Sequence, residues 1–320
     1  MATNTSAEAE VPRLSEVTSQ FLDYARVELQ FGRQTIEKYT YCLQRVRRFI
    51  GDLPVTEITS GHILNLKSHM LRRGNSICWQ IVILAATKRL LMFSKDQLGL
   101  PVLDPGVVTI PRRPRREVIF LTVDEVERFV RAIPLKTSKR GIHKPGLRFR
   151  ALVEVLLGSA MRIGEVLSLE CKDVDFERKE ARVIGKGNKE RTVFFTDRAL
   201  FWLRQYLESR TDDAPALFVS QNGVTRLNRG DIWRPFARYR KIAGLNKPVR
   251  PHLLRHTAAT QLLFNGCPIG HIKEILGHDR LETTCRYYLG LDQRAAKLAH
   301  QQYLVYDSIP AETGASHLDT

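Results

Sequence analysis

The sequence His252-Leu-Leu-Arg-His256 begins a stretch whose apolar residues recur at helical spacing as far as about Phe264. Residues three and four positions apart share one face of a helix, so the imidazole of His252 and the guanidinium of Arg255 can converge. A guanidinium stays charged, and its planar fork matches a pair of anionic oxygens. The stretch therefore predicts a helix that carries an arginine suited to an anion on the same face as His252. A lone helical histidine is usually a packed or surface residue, and His256 is predicted to be structural.

Three other short sequences carry groups of the same chemical kind. They are Ser159-Ala-Met-Arg-Ile-Gly-Glu165, Gly185-Lys-Gly-Asn-Lys-Glu-Arg191 and Leu276-Gly-His278, and Tyr287 follows nine positions after His278. Considered alone, Arg162 and Glu165 are explained by an ordinary intrahelical ion pair, and Lys186 by an exposed turn. Considered together, several cationic side chains and a tyrosine are what metal-free attack on a phosphodiester requires.

These motifs and Tyr287, in this order, resemble the tyrosine recombinase (phage integrase) family. The resemblance is specific over residues 119–300 and only general in character over residues 14–100. It implies a site-specific DNA recombinase whose catalytic residues are Arg162, Lys186, His252, Arg255, His278 and Tyr287, with Glu165 supporting Arg162. The lysine motif is similar to those of Xer-type resolvases and of small mobile-element integrases, and the sequence leaves this choice open.

The resemblance also implies the course of the reaction. Arg162 and Arg255 would bind the phosphate, and His252 would bind it or transfer a proton. Lys186 would protonate the leaving 5′-hydroxyl, and Tyr287, rather than its neighbour Tyr288, would form a covalent 3′-phosphotyrosyl bond. Because that bond stores the energy of the broken linkage, no metal or other cofactor is predicted.

The pattern of the chain predicts a mainly α fold with a small antiparallel β-sheet in two domains, and the family resemblance implies that these form a two-domain DNA clamp. Helices are predicted near Leu14–Leu29 and over Gln34–Phe49, Ser60–Leu71 and Ser76–Ser94, and strands over Val174–Phe176, Ala181–Ile184 and Thr192–Phe195. A turn is predicted at residues 187–188, a capping box at Thr122-Val-Asp-Glu125 predicts a helix start, and Gly277 predicts a helix end. The predicted parts are a flexible N-terminus (1–12), a helical, SAM-like core-binding domain (13–100), a basic linker (101–118), a catalytic domain (119–306) and a tail (307–320).

The charge of the chain indicates a polyanionic partner. The sequence has 50 Lys and Arg residues against 34 Asp and Glu residues, a formal net charge of +16, and 43% hydrophobic residues, which favours folded basic domains. Double-stranded DNA is the predicted partner. The predicted DNA contacts on the helical domain and the linker are Arg45, Arg47, Arg48, Lys88, Arg89, Arg112, Arg113, Arg115 and Arg116.

The cysteines and the hydropathy of the chain bear on its compartment. The five cysteines are scattered and have no C-x-x-C pair, which predicts reduced thiols in the cytoplasm. No apolar run approaches the ~20 residues of a membrane span, so no membrane partner is expected.

The family resemblance further implies a homo-oligomer, a tetramer on two duplexes that each carry a specific recombination site, with exchange through a Holliday junction. The sequence leaves open the target DNA, the need for an accessory or partner recombinase, the role of the basic loop 136–146, and cis or trans docking of a C-terminal helix near Asp292–Leu304. Two rival functions also stay open: DNA relaxation of the type IB topoisomerase kind, and DNA-binding regulation without catalysis.

Overall fold

The computed structural model describes residues 11–113, 119–135, 145–185, 190–221, 223 and 225–278. The chain divides into two units, residues 1–116 and residues 117–320. In the described residues helices predominate, and the strands form one small antiparallel sheet. The predicted fold class, mainly α with a small antiparallel sheet, is confirmed.

Four α-helices build the described part of the first unit. They are α1 (Leu14–Val27), α2 (Arg33–Ile50), α3 (Ser60–Arg72) and α4 (Ile77–Asp96), close to the four predicted helices. Their apolar faces meet in one core, in which the ring of Phe21 packs edge-on against Tyr39 and tilted against Phe93. Thr59 and Ser76 cap α3 and α4, since their hydroxyls accept backbone N–H groups of the first helical turns.

Helix α4 corrects one expectation from the sequence. Over an 18-residue stretch of its 20 residues the mean hydropathy is 1.4, so α4 is long and apolar enough to cross a membrane by length and composition. Half of that stretch is buried, and Thr87 and Ser94 donate their hydroxyls to the helix's own carbonyls. Helix α4 is therefore explained as the central helix of the first unit's core.

The predicted linker differs from expectation at its start. Residues 105–107 form a 3-10 turn, and Val108 is completely buried in the core of the first unit. The amine of Lys67 also donates to the hydroxyl of Thr109 at 2.7 Å. The apolar side chains of this segment thus hold it against the helices, whereas residues 114–118 lie outside the described residues.

The described part of the second unit contains seven α-helices and three strands. The helices are α5 (Val123–Arg131), α6 (Pro145–Ser159), α7 (Ile163–Ser168), α8 (Asp197–Glu208), α9 (Arg229–Ile242), α10 (Pro251–Phe264) and α11 (Ile269–Leu276). The strands β1 (Val174–Asp175), β2 (Glu180–Ile184) and β3 (Glu190–Phe194) pair in that order, all antiparallel. Helix α5 begins at the predicted capping box, in which Thr122 and Glu125 exchange hydrogen bonds.

Helix α6 lies at the centre of the second unit, because its sequence is apolar on nearly every face. Gly158 near its end allows α8 to approach closely: a Cβ at this position would lie 2.4 Å from the hydroxyl oxygen of Thr196. Helix α6 also packs against α10. The chain that leaves α6 after Ser159 is therefore fixed before it reaches Arg162.

The register of the sheet decides which side chains of β3 face inward. Arg191 pairs with Val183, and Val193 pairs with Ala181. Along β3 the burial alternates, so Arg191 and Val193 share the inner side while Thr192 and Phe194 are exposed. An arginine thus extends the buried face of this strand. The predicted turn at residues 187–188 lies outside the described residues.

Candidate active site

Helix α11 ends in a turn that leaves its last carbonyls in need of partners. Gly277 adopts the left-handed conformation (φ 59°, ψ 55°), which favours glycine, and this confirms the predicted helix end. The N–H of Gly277 donates to the carbonyl of Glu274 at 2.9 Å, and the N–H of His278 donates to that of Lys273 at 3.1 Å. The carbonyls of Ile275, Leu276 and Gly277 require other donors, since the helix ends at Leu276.

Three guanidiniums supply those donors. Arg191 Nη1 donates to the carbonyl of Ile275 at 2.7 Å, Arg255 Nη2 to that of Leu276, and Arg162 Nη2 to that of Gly277 at 2.9 Å. A helix C-terminus carries partial negative charge, so cations are favourable there. These three residues, called the arginine cluster below, come from three separate parts of the sequence, and the turn before His278 brings them together.

Glu165 joins two members of the arginine cluster. Its Oε1 accepts from Arg162 Nη1 at 2.9 Å, and its Oε2 accepts from Arg191 Nη2 at 2.9 Å and from the backbone N–H of Arg162 at 2.8 Å. Burial alone would raise the pKa of Glu165, but the N–H of Arg162 and the charges of Arg191 and Arg162 outweigh it. The pKa of Glu165 therefore lies below its ordinary value, and the carboxylate is ionised.

Arg255 ties the chain before Arg162 to α10. Its side chain is buried, and Nη1 donates to the carbonyl of Ala160 at 2.8 Å. Ala160 has a positive φ of 53°, which residues other than glycine rarely adopt. The hydroxyl of Ser159 accepts the N–H of Met161 at 3.3 Å and stabilises the same turn. Arg255 thus holds both the entry to α7 and the end of α11.

Two histidines lie next to each other on α10. The ring centroids of His252 and His256 are 4.3 Å apart, and the rings meet nearly edge to face at 68°. Desolvation, followed by the charges of Arg255 and Arg162, lowers the pKa of His252. Burial, with His252, Arg255 and His278 nearby, lowers the pKa of His256 to about 4. Both imidazoles are therefore mainly neutral at neutral pH, and the exposed His252 can accept a proton.

The charge and exposure of the site suit an anionic ligand. The carboxylate of Glu165 pairs with the guanidiniums of Arg162 and Arg191, and the ratio of three guanidiniums to this one carboxylate leaves the arginine cluster positive. The side chain of Arg162 is 39% exposed, whereas that of Arg191 is 14% exposed and the Arg255 residue is 4% exposed. Arg162 and His252 are thus the residues of the site that a large ligand can reach. Among the described residues no group of His, Cys, Asp or Glu side chains is arranged to hold a metal ion.

The structure brings together four of the six residues predicted as catalytic. Arg162, His252 and Arg255 interact as described, and His278 follows the turn that the cluster holds. Lys186 and Tyr287 lie outside the described residues, as do Arg115 and Arg116 of the linker.

Arg191 was not predicted from the sequence as a site residue, although it is the last residue of the lysine motif. In the sequence, Arg191 resembles the charged residues of an exposed hairpin. The signal that could have found it is the alternation of β3, because Arg191 lies two positions before the inward-facing Val193.

A basic face of α9 was also missed. Arg234, Arg238 and Lys241 are exposed at helical spacing on this face, beside the exposed ring of Trp233. The guanidinium of Arg250 lies 5.8 Å from the centre of that ring.

The predicted DNA contacts of the first unit are mostly exposed. Arg45, Arg47, Arg48, Arg89, Arg112 and Arg113 are exposed, and Lys88 is half-buried. Two of them lie against aromatic rings: Arg45 is 5.3 Å from the centre of the Tyr41 ring, and Arg89 is 5.3 Å from that of Phe31. Such contacts orient a cation while keeping it accessible.

A sequence profile of the phage integrase family matches residues 119–294, more than half of the chain. The chain belongs to the phage integrase family. The tyrosine recombinase XerC of Proteus mirabilis is 30% identical over 292 residues, which cover 89% of this chain and 92% of that protein. The tyrosine recombinase XerA of Pyrococcus furiosus is 32% identical over 276 residues, which cover 85% and 89%.

A solved structure supports the fold of this family member. It is that of the XerH site-specific recombinase bound to a palindromic difH substrate in a post-cleavage complex. The TM-score is 0.68 and the sequence identity is 22%, and the match covers 90% of this chain and 84% of that chain. The predicted family is confirmed, and the chain is a Xer-like, site-specific tyrosine recombinase. The two rival functions are not favoured, because relatives that match nearly the whole chain are tyrosine recombinases.

The depressed pKa of His256 predicts a pH-dependent loss of stability. Its folded pKa of about 4 lies below the ordinary 6.5, so its contribution is fully present above pH 6.5 and is lost as the pH falls toward 4. At 1.36 kcal/mol per pKa unit the loss is about 3 kcal/mol at most. Urea unfolding at a series of pH values should show this decline for the wild type and a shallower decline for His256→Gln.

The exposed His271 on α11 provides the matched control. His271→Gln should follow the wild-type curve throughout. Parallel curves for the wild type and His256→Gln would show that His256 titrates normally in the folded protein.

Proposed function

We propose that this recombinase cleaves and rejoins duplex DNA at a specific site through a 3′-phosphotyrosyl bond to Tyr287. The observation that carries the proposal is the arginine cluster, in which guanidiniums are fixed by protein carbonyls and by Glu165 before any substrate binds. A phosphodiester in the transition state gains charge on its nonbridging oxygens. Donors that already point at this position stabilise it without reorganisation, and each is worth about 3–4 kcal/mol.

The role of Arg162 follows from its accessibility and that of His252 from its protonation, whereas the roles of the buried Arg255 and of His278 rest on the family motifs. Arg162 and Arg255 bind the nonbridging oxygens, with His278 beside them at the end of α11. Neutral His252 accepts the phenolic proton or donates a hydrogen bond to the phosphate. Glu165 keeps Arg162 in its orientation.

Each chemical step then balances without a cofactor. The phenolic oxygen of Tyr287 attacks phosphorus while the bond from phosphorus to the 5′-oxygen breaks, and Lys186 protonates the departing oxygen. For rejoining, a 5′-hydroxyl attacks the phosphotyrosine, Lys186 takes back the proton, and the tyrosine leaves. The number of phosphodiester bonds is unchanged, so no external energy source is needed.

Duplex DNA is the substrate that the surface charge supports. In the first unit Arg45, Arg47, Arg48 and Arg89 supply exposed guanidiniums, and Arg112 and Arg113 continue the charge along the chain. In the second unit the basic face of α9 adds Arg234 and Arg238 beside Trp233. Phosphate contacts position a protein on DNA, whereas base-edge contacts specify the sequence.

We infer that the working assembly is a tetramer on two duplexes that exchanges strands through a Holliday junction. The relatives named XerC and XerA favour Xer-type resolution, and integration or excision of a mobile element uses the same chemistry. Among the described residues Cys42, Cys171 and Cys267 are free thiols, which supports action in the cytoplasm.

The first test identifies the nucleophile with a nicked suicide duplex whose recognition sequence is selected from random DNA by the wild-type protein. Wild type and Tyr288→Phe should form a covalent adduct, whereas Tyr287→Phe should bind the duplex and form none. Neighbouring residues on a helix point about 100° apart, so only one tyrosine faces the phosphate. The readout is the DNA-linked band on a denaturing gel together with peptide mapping.

An adduct that maps to Tyr288 would overturn the assignment of the nucleophile. Absence of any adduct with the wild-type protein on a duplex that it binds would overturn the proposed function itself.

The second test concerns Lys186 as the acid. With sulfur in place of the bridging 5′-oxygen the leaving group departs without a proton, because a thiolate is far less basic than an alkoxide. Lys186→Ala should be at least about a hundredfold slower on normal DNA, since general acid catalysis contributes about 10²–10⁴-fold, and near the wild-type rate on the sulfur substrate. Lys189→Ala is the matched control and should be nearly unaffected on both. If Lys186→Ala is equally slow on the two substrates, the lysine has another role.

A further inference from the structure

Arg191 lies between three elements of the second unit. It is the second residue of β3, on the inner side of the sheet, and the same hairpin sequence contains Lys186. Its Nη2 reaches Glu165 of α7 at 2.9 Å, and its Nη1 reaches the carbonyl of Ile275 of α11 at 2.7 Å. One guanidinium therefore ties a strand to two helices.

These contacts close a ring of hydrogen bonds. Arg162 donates to Glu165, Glu165 accepts from Arg191, and Arg191 donates to Ile275. Arg162 then returns to the same turn of α11 through the carbonyl of Gly277. Without Arg191, Glu165 and α11 would be joined within this ring only through Arg162. Glu165, which orients the more exposed guanidinium of Arg162, would then no longer be held by Arg191.

The packing of Arg191 on Gly277 is close. A Cβ on Gly277 would lie 2.6 Å from Arg191 Nε and 2.7 Å from its Cδ, so the guanidinium lies directly on the glycine backbone. In this position Nε is buried and has no hydrogen-bond partner. A buried donor without a partner costs stability, and the two hydrogen bonds of the same guanidinium to Glu165 and to Ile275 offset that cost. Because those two bonds fix the guanidinium between α7 and α11, Arg191 also orients the groups on either side.

We propose that Arg191 is a positioning residue of the recombination reaction: through Glu165 and the end of α11 it holds Arg162 and His278 in their reactive placement. This inference rests on the proposed function. In this role Arg191 acts through other residues and not on the phosphate itself. Its contribution is geometric, because displacement of a catalytic group by about 1 Å can cost about 10²-fold in rate.

The test measures the single-turnover rate of adduct formation on the selected suicide duplex at saturating protein, and separately the Kd for that duplex. Arg191→Met keeps an unbranched side chain as far as the position of Nε and removes both hydrogen bonds of the guanidinium. It should slow adduct formation by about a hundredfold and change the Kd by less than about threefold. Arg182→Met, the same substitution on the exposed side of β2, is the matched control and should stay within about threefold of the wild-type rate.

A double-mutant cycle separates positioning from a general structural effect. If Arg191 acts through Glu165, then Arg191→Met should slow a Glu165→Gln protein by less than about tenfold, since the ring is already broken. If the two substitutions slow adduct formation independently, so that the double variant is slowed by the full product of the two single effects, the proposal is contradicted. The loss should also persist on the 5′-sulfur substrate, and full recovery there would show instead that Arg191 acts through Lys186.

Arg191→Lys provides a second variant that retains the charge, in case Arg191→Met does not fold. An ammonium cannot reproduce the planar fork that reaches both Glu165 and Ile275, so adduct formation should still be at least about tenfold slower. A wild-type rate in either folded Arg191 variant, beside an active wild-type protein, overturns this inference alone. Failure of the wild-type protein to form any adduct overturns the proposed function on which it rests.

Discussion

The end of helix α11 is the constraint on which the site depends. A helix that stops inside a protein must find donors for its last carbonyls, and here the turn at Gly277 satisfies two of them and the arginine cluster satisfies three. The guanidiniums come from the start of α7, from β3 and from α10, so one backbone turn sets the relative positions of three distant segments. The position of His278 follows from the same turn.

This arrangement explains how cations can be held close together without a bound anion. The partial negative charge of the helix end and the ionised Glu165 offset part of the repulsion, and the remaining positive charge is available to a phosphate. The two neutral histidines add no further positive charge at neutral pH. Such preorganised positive charge is what the proposed attack on a phosphodiester requires.

The sequence predicted what depends on local pattern. Helices α2, α3 and α4 follow from apolar periodicity, the start of α5 from its capping box, and the end of α11 from Gly277. The convergence of Arg162, His252 and Arg255 was predicted from family motifs. Features that depend on tertiary contacts were not predicted. Arg191 faces inward because the inner side of β3 packs against the rest of the unit, and Val108 is buried in the core of the first unit by residues far from it in the sequence.

The central claim is that the arginine cluster is already fixed in the DNA-free protein. Nitrogen-15 NMR of the guanidinium groups, assigned with single Arg→Lys variants, measures this directly. The account predicts resolved Nη signals with slow hydrogen exchange and restricted Cζ–Nη rotation for Arg191 and Arg255, in contrast to the averaged signals of the exposed Arg182. Rapid rotation and exchange at Arg191 and Arg255 in the folded protein, with ordering only after DNA is added, would contradict it.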